Sequence, residues 1–186
     1  MTIGFALCGS YCTYDRVFPV IEALSKENKV IPILSEAAYA TDSRFGTAEH
    51  WKQKLEEICG CPPLHLISQV EPIGPKGLLD ILVIAPCTGN TLAKLAHSIA
   101  DGPVTMAAKS HLRNGRPVLV AVSTNDGLAG AGENIGRLLA RKHYYFAPFG
   151  QDDPLKKPAS LIADFARIPQ AMEGAMAGQQ IQPMLL

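Results

Sequence analysis

No sign of charge dominates this sequence: 17 Lys and Arg stand against 17 Asp and Glu in 186 residues, a formal net charge of +0 at pH 7. Without a net field, the electrostatic case for a nucleic-acid or anionic-membrane binder falls away, although a local cationic pocket for a small anion remains compatible with it. Long hydrophobic runs are missing too. The longest, Ile81 to Pro86, covers six residues, far below the roughly 20 needed to span a bilayer. No extended charged or low-complexity tract appears, and 47% hydrophobic against 18% charged residues is the composition of a folded protein. The opening MTIGFALCGS has no basic n-region and turns polar early, so no secretory leader is expected.

Signals for metal ligation and for the commoner nucleotide sites are equally absent. Five cysteines (Cys8, Cys12, Cys59, Cys61 and Cys87) are an odd number, and with no leader they point to a reduced, cytoplasmic protein. Cys59-Gly60-Cys61 has one intervening residue instead of two and no matching second pair. His50, His65, His97, His111 and His143 are scattered without ligand spacing, so no metal site is expected. Neither G-x-G-x-x-G nor G-x-x-x-x-G-K-[ST] occurs, which removes support for a dinucleotide or nucleoside-triphosphate site of the usual kind, and there is no G-x-S-x-G elbow.

What is present is a period that switches between short apolar runs and helical stripes. A chain of 19.9 kDa should fold to roughly 8,700 Å² of surface, burying about 70% of its extended-chain area. That is enough for a core without disulfide or metal staples. Strands are expected at Ile3–Leu7, Val30–Leu34, Ile81–Ala85, Pro117–Val122 and Tyr144–Ala147. The third is the most central, being apolar throughout, and Pro32 in the second suggests an edge position or a strand start. Between them run helical stripes. One is capped by Asp15 and carries Val17, Val20, Ile21 and Leu24; a second follows Thr47 with Trp51, Leu55 and Ile58 and closes at Gly60. A third carries Leu92, Leu95, Ala96 and Ile99 up to Gly102, a fourth runs to about Asn114, and a fifth spans 133–142. From about Pro158 the tail reads as helical, broken at Pro169 and fraying after Gly178. The stretch Gly60–Gly77, rich in proline and glycine, gives no clear element. With no linker or repeat, residues 1–186 are expected to form one domain. Its fold class is α/β, a three-layer α/β/α sandwich around a parallel sheet of about six strands.

In such a sheet ligands gather beyond the carboxyl ends of the strands. There the first strand delivers Gly9, Ser10 and Thr13, a turn whose glycine and helix-terminal amides suit a phosphate, or alternatively a serine-capped turn. The third delivers Thr88, Gly89, Asn90 and Thr91, polar groups suited to a flat heterocycle, with helix capping by Asn90 or Thr91 as the other reading. The fourth delivers Ser123, Thr124, Asn125 and Asp126. Cys87 at this mouth reads as a packed thiol, and Asp152-Asp153 with Lys156-Lys157 as a charge-balanced, solvated loop at the same end.

The run Val83-Ile84-Ala85-Pro86-Cys87-Thr88-Gly89-Asn90-Thr91-Leu92-Ala93-Lys94-Leu95-Ala96, with the opening Gly9-Ser10, resembles the flavin-dependent cysteine decarboxylase and flavin prenyltransferase superfamily. Gly9–Tyr14, Val122–Asp126, Pro148–Pro154 and Lys156-Lys157-Pro158 extend the likeness to a narrower group within it. These are the B subunits of a two-subunit oxidoreductase of sporulating bacteria. The resemblance implies a flavodoxin-like (Rossmann-like) fold, FMN as the cofactor and assembly into homo-oligomers such as trimers or dodecamers. By it, Gly9, Ser10 and Thr13 meet the phosphate, Ser35 the phosphate or ribityl chain, and Thr88, Asn90, Thr91 and Ser123 the ring and the substrate. It implies a partner A subunit, through which NADP is supplied. The joint reaction that the resemblance implies is the oxidation of dihydrodipicolinate to dipicolinate, expected in the mother cell.

A dicarboxylate substrate asks for cations or amide donors, and Lys94, Lys109, Arg113 and Asn125 are the candidates; Asp126 is the nearest thing to a base. Two departures from the superfamily stand out. Its decarboxylase histidine, whose place here is about Pro72, is missing, and Val122-Ser123-Thr124-Asn125 replaces its P-A-M-N segment. Three functions therefore stay open: a subunit catalytic in complex, a non-catalytic stabilising or regulatory subunit, and a free-standing flavoprotein.

Overall fold

The computed structural model describes residues 1–186, and its accessible surface of 8536 Å² matches the size expected for a chain of this mass. Apolar runs form the centre of the sheet. β1 (Thr2–Leu7) lies between β2 (Lys29–Leu34) and β3 (Ile81–Cys87), all parallel, with Phe5 level with Pro32 and Val83. β3 is buried along its whole length, as a strand covered on both faces must be. β4 (Val118–Thr124) follows in parallel, giving the order β2-β1-β3-β4 and leaving Pro32 on the edge strand.

Beyond β4 the architecture departs from an all-parallel sheet. β5 (Tyr144–Phe146) runs parallel to the first half of β4, pairing with Val118–Val120. The second half of the same edge is taken by β7 (Lys157–Ala163), antiparallel at Ser123 and Thr124, with β6 (Phe149–Asp153) outside it. The sheet thus has seven strands and is mixed, in the order β2-β1-β3-β4-β7-β6 with β5 off this path. The segment expected to begin a helical tail at Pro158 is instead half of a hairpin, and the acidic and basic residues expected in a solvated loop are its two arms. Leu161, Ala163 and Phe149 face the core while Gln151, Asp152 and Lys157 face water.

Helices cover both faces. α1 (Tyr14–Ser25), α3 (Ala48–Cys59) and α9 (Ile168–Met176) pack on one side. α6 (Gly89–Ala96), α7 (Pro103–Leu112) and α8 (Gly132–Leu139) pack on the other, with the one-turn helices α4 (Ile67–Val70) and α5 (Ile73–Lys76) against α7. A short α2 (Glu36–Ala40) follows β2. Thr47 caps α3 and Gly60 ends it at φ +69°, as the sequence implies. Four boundaries differ from expectation. Asp15 lies inside the first turn of α1, not at its cap. α6 stops at Ala96, leaving Ile99 exposed, because Ser98 takes φ +58°. α8 stops at Leu139, leaving that residue exposed. Pro169 opens α9 instead of breaking a helix, since proline fits the first turn.

The end of the chain is tied down. Gln180 pairs with both backbone groups of Phe146 at 2.8 Å, and Leu185 bridges Phe149. Inside α7, His111 is fully buried; its Nε2 donates to Pro117 O at 3.1 Å and its Nδ1 has no partner. Burial pushes its pKa down from 6.5 to about 4.

Candidate functional site

The order β2-β1-β3-β4 reverses direction between β1 and β3, the topological switch point where open α/β sheets hold ligands. Two adjoining clefts open there, one on each side of Gly9 and Thr88, which line both. The first, about 320 Å³, lies among the starts of α2, α6 and α7 and includes Ser35, Asn90, Thr91 and Lys94. The second, about 310 Å³, lies between the β1–α1 turn and the β6–β7 hairpin and includes Ser10, Thr13, Ser123, Asn125 and Asp126. Eleven of the site residues singled out from sequence therefore meet at one end of the sheet: Gly9, Ser10, Thr13, Ser35, Thr88, Asn90, Thr91, Lys94, Ser123, Asn125 and Asp126.

What these side chains can still do depends on their present partners. Ser10 Oγ and Ser123 Oγ share a hydrogen bond of 2.7 Å across the mouth, joining the first strand end to the fourth. Each hydroxyl keeps spare lone-pair capacity. The backbone amides of Gly9, Tyr11 and Cys12 have no acceptor within the chain, so the turn is a set of aimed donors. Gly9 adds an open wall: a Cβ there would come no closer than 3.5 Å to another side chain. Its bareness is not demanded by internal packing and leaves room at the cleft. Thr13 is buried and donates to Ser10 O at 2.8 Å. It holds the turn in shape and is not the free hydroxyl donor expected of it.

At the end of β3 the helix cap is Thr88, not Asn90 or Thr91. Thr88 Oγ1 accepts from Thr91 N at 3.3 Å and lies 3.1 Å from Thr91 Oγ1, which in turn donates to Cys8 Sγ at 3.3 Å. The two threonine hydroxyls are consumed by this chain. Asn90, the second residue of α6, is exposed and has no side-chain partner, so its amide is free for a ligand. Cys8 and Cys87 are buried, and burial raises both thiols, Cys8 to about 11. They are packing groups, as expected for Cys87.

The charged candidates divide. Lys94 lines the first cleft but is paired with Asp101 at 2.9 Å. Lys109 and Arg113 are not at the crevice at all; they line a separate cavity at the far end of α7. The reason is helical rise: ten residues from Pro103 carry the chain roughly 15 Å away. Asp126 accepts from Thr124 Oγ1 and lies against Gly89, where a Cβ would meet its Oδ1 at 2.8 Å. Asn125 accepts a long contact of 3.5 Å from Ser160 Oγ. Residues missed from sequence are Glu36, an exposed carboxylate on the first cleft without a partner, and Cys12 and Ser160 on the second, where Asp152 and Lys157, expected at this end only as a solvated loop, are also lining residues. Glu36 follows directly from a polar residue after an apolar run; the hairpin residues carried no such signal.

The sequence model of the Flavoprotein family matches residues 1–131. The chain is 48% identical to the B subunit of dipicolinate synthase from Bacillus subtilis (strain 168) over 185 residues, 99% of this chain and 92% of that one. A crystal structure of the dipicolinate synthase B subunit from Bacillus halodurans C superposes with a TM-score of 0.91 at 46% identity, covering 100% of this chain and 95% of that chain. Burkholderia xenovorans DmrB in complex with FMN matches at a TM-score of 0.69 and 18% identity, over 95% of each chain, a likeness of fold.

Proposed function

The chain belongs to the Flavoprotein family, and from that premise we propose that it works as the B subunit of a dipicolinate-forming oxidoreductase. With the A subunit of dipicolinate synthase it oxidises dihydrodipicolinate to dipicolinate in the mother cell of a sporulating bacterium. One observation carries this reading. The likeness to the Bacillus subtilis protein runs over 99% of this chain, so it includes the β6–β7 hairpin and tail that lie beyond residue 131, where the family match ends. The reaction removes a hydride and a proton from the dihydropyridine ring. NADP, supplied through the A subunit, takes the hydride, and the proton passes to a base or to water.

FMN fits the donors present. Gly9, Ser10 and the free amides of Tyr11 and Cys12 would hold its phosphate without a cationic side chain, with Ser123 beside them and Ser35 toward the chain linking phosphate to ring. Asn90 would meet the ring edge or a substrate carboxylate, since one amide both donates and accepts. When bound, FMN would supply a two-electron carrier able to pass the pair on to NADP, the final acceptor. The protein's part is to position: Thr88 and Thr91 hold α6 in register, and Asn90 orients the ligand. No histidine lines either cleft, which disfavours a free-standing decarboxylase. Exposed Leu66 and Ile67 on the groove next to the first cleft support self-association, as a trimer or a larger assembly.

A second reading is favoured by the charge inventory. Asp126 is engaged by Thr124, Lys94 by Asp101 and Asp152 by Lys157, leaving Glu36 as the free carboxylate. In this reading the chain supports its partner without contributing to the chemistry. Reconstitution separates the two, with the purified A subunit, this chain, dihydrodipicolinate and NADP assayed singly and mixed. Dipicolinate is expected only from the mixture. A full rate from the partner in isolation overturns the catalytic reading and leaves the supporting one. Sedimentation equilibrium on the same preparation tests self-association, which a species of the chain's own mass at micromolar concentration would reject.

A further inference from the structure

Toward the far end of α7 lies a cavity of about 440 Å³ that shares only Thr105 with the first cleft of the crevice. Its charge is one-sided. Lys109 from α7 and Arg113 at its C-cap line it, as do Arg141 and Lys142 from the α8–β5 turn, and no Asp or Glu does. The ion pairs of the chain engage Lys52, Lys94, Arg116, Arg137 and Lys157, none of these four. Lys109 and Arg113, four apart on one helix face, repel each other and cost the helix a few tenths of a kcal/mol. An overall neutral chain has gathered unpaired cations around one concavity.

The floor and the frame are built differently from a solvated basic face. Leu95, Ile99, Leu112 and Tyr144 give the cavity an apolar floor. Arg141 is fixed by Leu95 O at 3.0 Å, Ala96 O at 2.6 Å and Ser98 Oγ at 3.2 Å, capping the end of α6. The two non-glycine residues of the chain with positive φ, Ser98 at +58° and His143 at +69°, both line this cavity. Backbone in that region is uncommon and gathers at functional sites.

We infer that this cavity is a second ligand site, for a small ring-bodied dicarboxylate. The cations form two pairs on separate elements, which matches two anionic groups, and the apolar floor between them matches a ring. A volume of about 440 Å³ lies within the range of small-molecule pockets. Arginine adds bidentate carboxylate recognition that lysine lacks. Dipicolinate, the product of the reaction proposed above, belongs to this ligand class, yet the chemistry of the cavity does not depend on that reaction.

Isophthalate, a benzene ring with two carboxylates, is the probe, titrated calorimetrically into the full chain at low salt. It is expected to bind, with benzoate about tenfold weaker for the loss of one charged contact. The Lys109→Gln/Arg113→Gln variant is expected to lose about tenfold or more in isophthalate affinity, as one pair of charge-assisted contacts goes. Both residues are exposed, so its melting temperature should hold. FMN titrated into the same variant should bind as to wild type, which keeps failure at this cavity distinct from failure at the crevice. Three results overturn the proposal: no isophthalate binding to wild type, equal affinity in the double variant, or displacement of isophthalate by inorganic phosphate at equal concentration.

Discussion

The two ends of the sheet solve opposite problems with the same helix. At the crevice, α7 begins beside Asn90, Ser35 and Lys94; at the far cavity it ends with Lys109 and Arg113. The crevice is made of hydroxyls, amides and bare backbone N–H groups, and the charges that reach it are mostly paired internally. The cavity is made of unpaired cations on an apolar floor. Uncharged donors aimed by rigid strand ends hold an anion at no cost in self-repulsion. Like cations gathered around one concavity repel one another until a ligand offsets their charge. The crevice thus relies on donors fixed by the backbone, whereas the cavity relies on charge.

The largest test of that contrast is acid. Between the outward cations of α7, His111 points inward and stays neutral, with burial the main cause of its low pKa of about 4 and Arg116 adding to it; the Pro117 carbonyl and Asp80 oppose. The unfolded chain takes up this proton first, near pH 6.5. Stability is therefore full above about 6.5 and is lost as pH falls toward 4, by about 3 kcal/mol at most. Melting curves across that range should slope for wild type and flatten for His111→Gln. Parallel slopes would show that other groups set the acid limit.

Gly74→Ala should break the contrast by moving both ends together. A Cβ at this position would lie 2.5 Å from the backbone oxygen of Ser110, so α7 must lift from α5. The expected cost is about 1–3 kcal/mol, with affinities for FMN and isophthalate falling in step. A change at one end alone would show that α7 bends and does not move as a rod.

The smallest stability effects sharpen the crevice itself. Thr88→Ala should cost about 1 kcal/mol as the cap of α6 is lost, while Asn90→Ala, without a partner to lose, should stay within about 0.5 kcal/mol. In the reconstituted pair, Asn90→Asp is expected to be less active than Asn90→Ala, because it sets a negative charge beside an anionic ligand. Full activity in the Asp variant would remove Asn90 from the site.

The parallel strands were legible because burial on both faces leaves an unbroken apolar run, as in Ile81–Ala85. The polar residues just after those runs were legible for the same reason: Gly9, Ser10, Thr88, Asn90 and Ser123 stand where the strands must stop, and the structure brings them together. The hairpin was not legible. Its outer arm is charged and its inner arm is buried on one side only, so Asp152-Asp153 with Lys156-Lys157 reads as a solvated loop and the chain from about Pro158 as a helix. Lys109 and Arg113 were misplaced because nearness in sequence to the crevice loops ignores the length of the helix between. Which threonine caps α6, and which amide stays free, depends on a hydrogen-bond chain through Cys8 that no local pattern encodes.

β4 is shared in an unusual way, with β5 on the first half of one edge and β7 on the second. Ser123 and Thr124, which face the crevice, are thus also the residues on which the hairpin hangs, and Leu161 of β7 packs under Gly127 of the loop that follows them. The hairpin cannot detach without freeing the floor of the site. Amide exchange should report this as one cooperative unit: the β6–β7 ladder and the Ser123–Thr124 backbone are expected to open to solvent with a common free energy, below that of Ile81–Cys87, and to gain protection together when the crevice is filled.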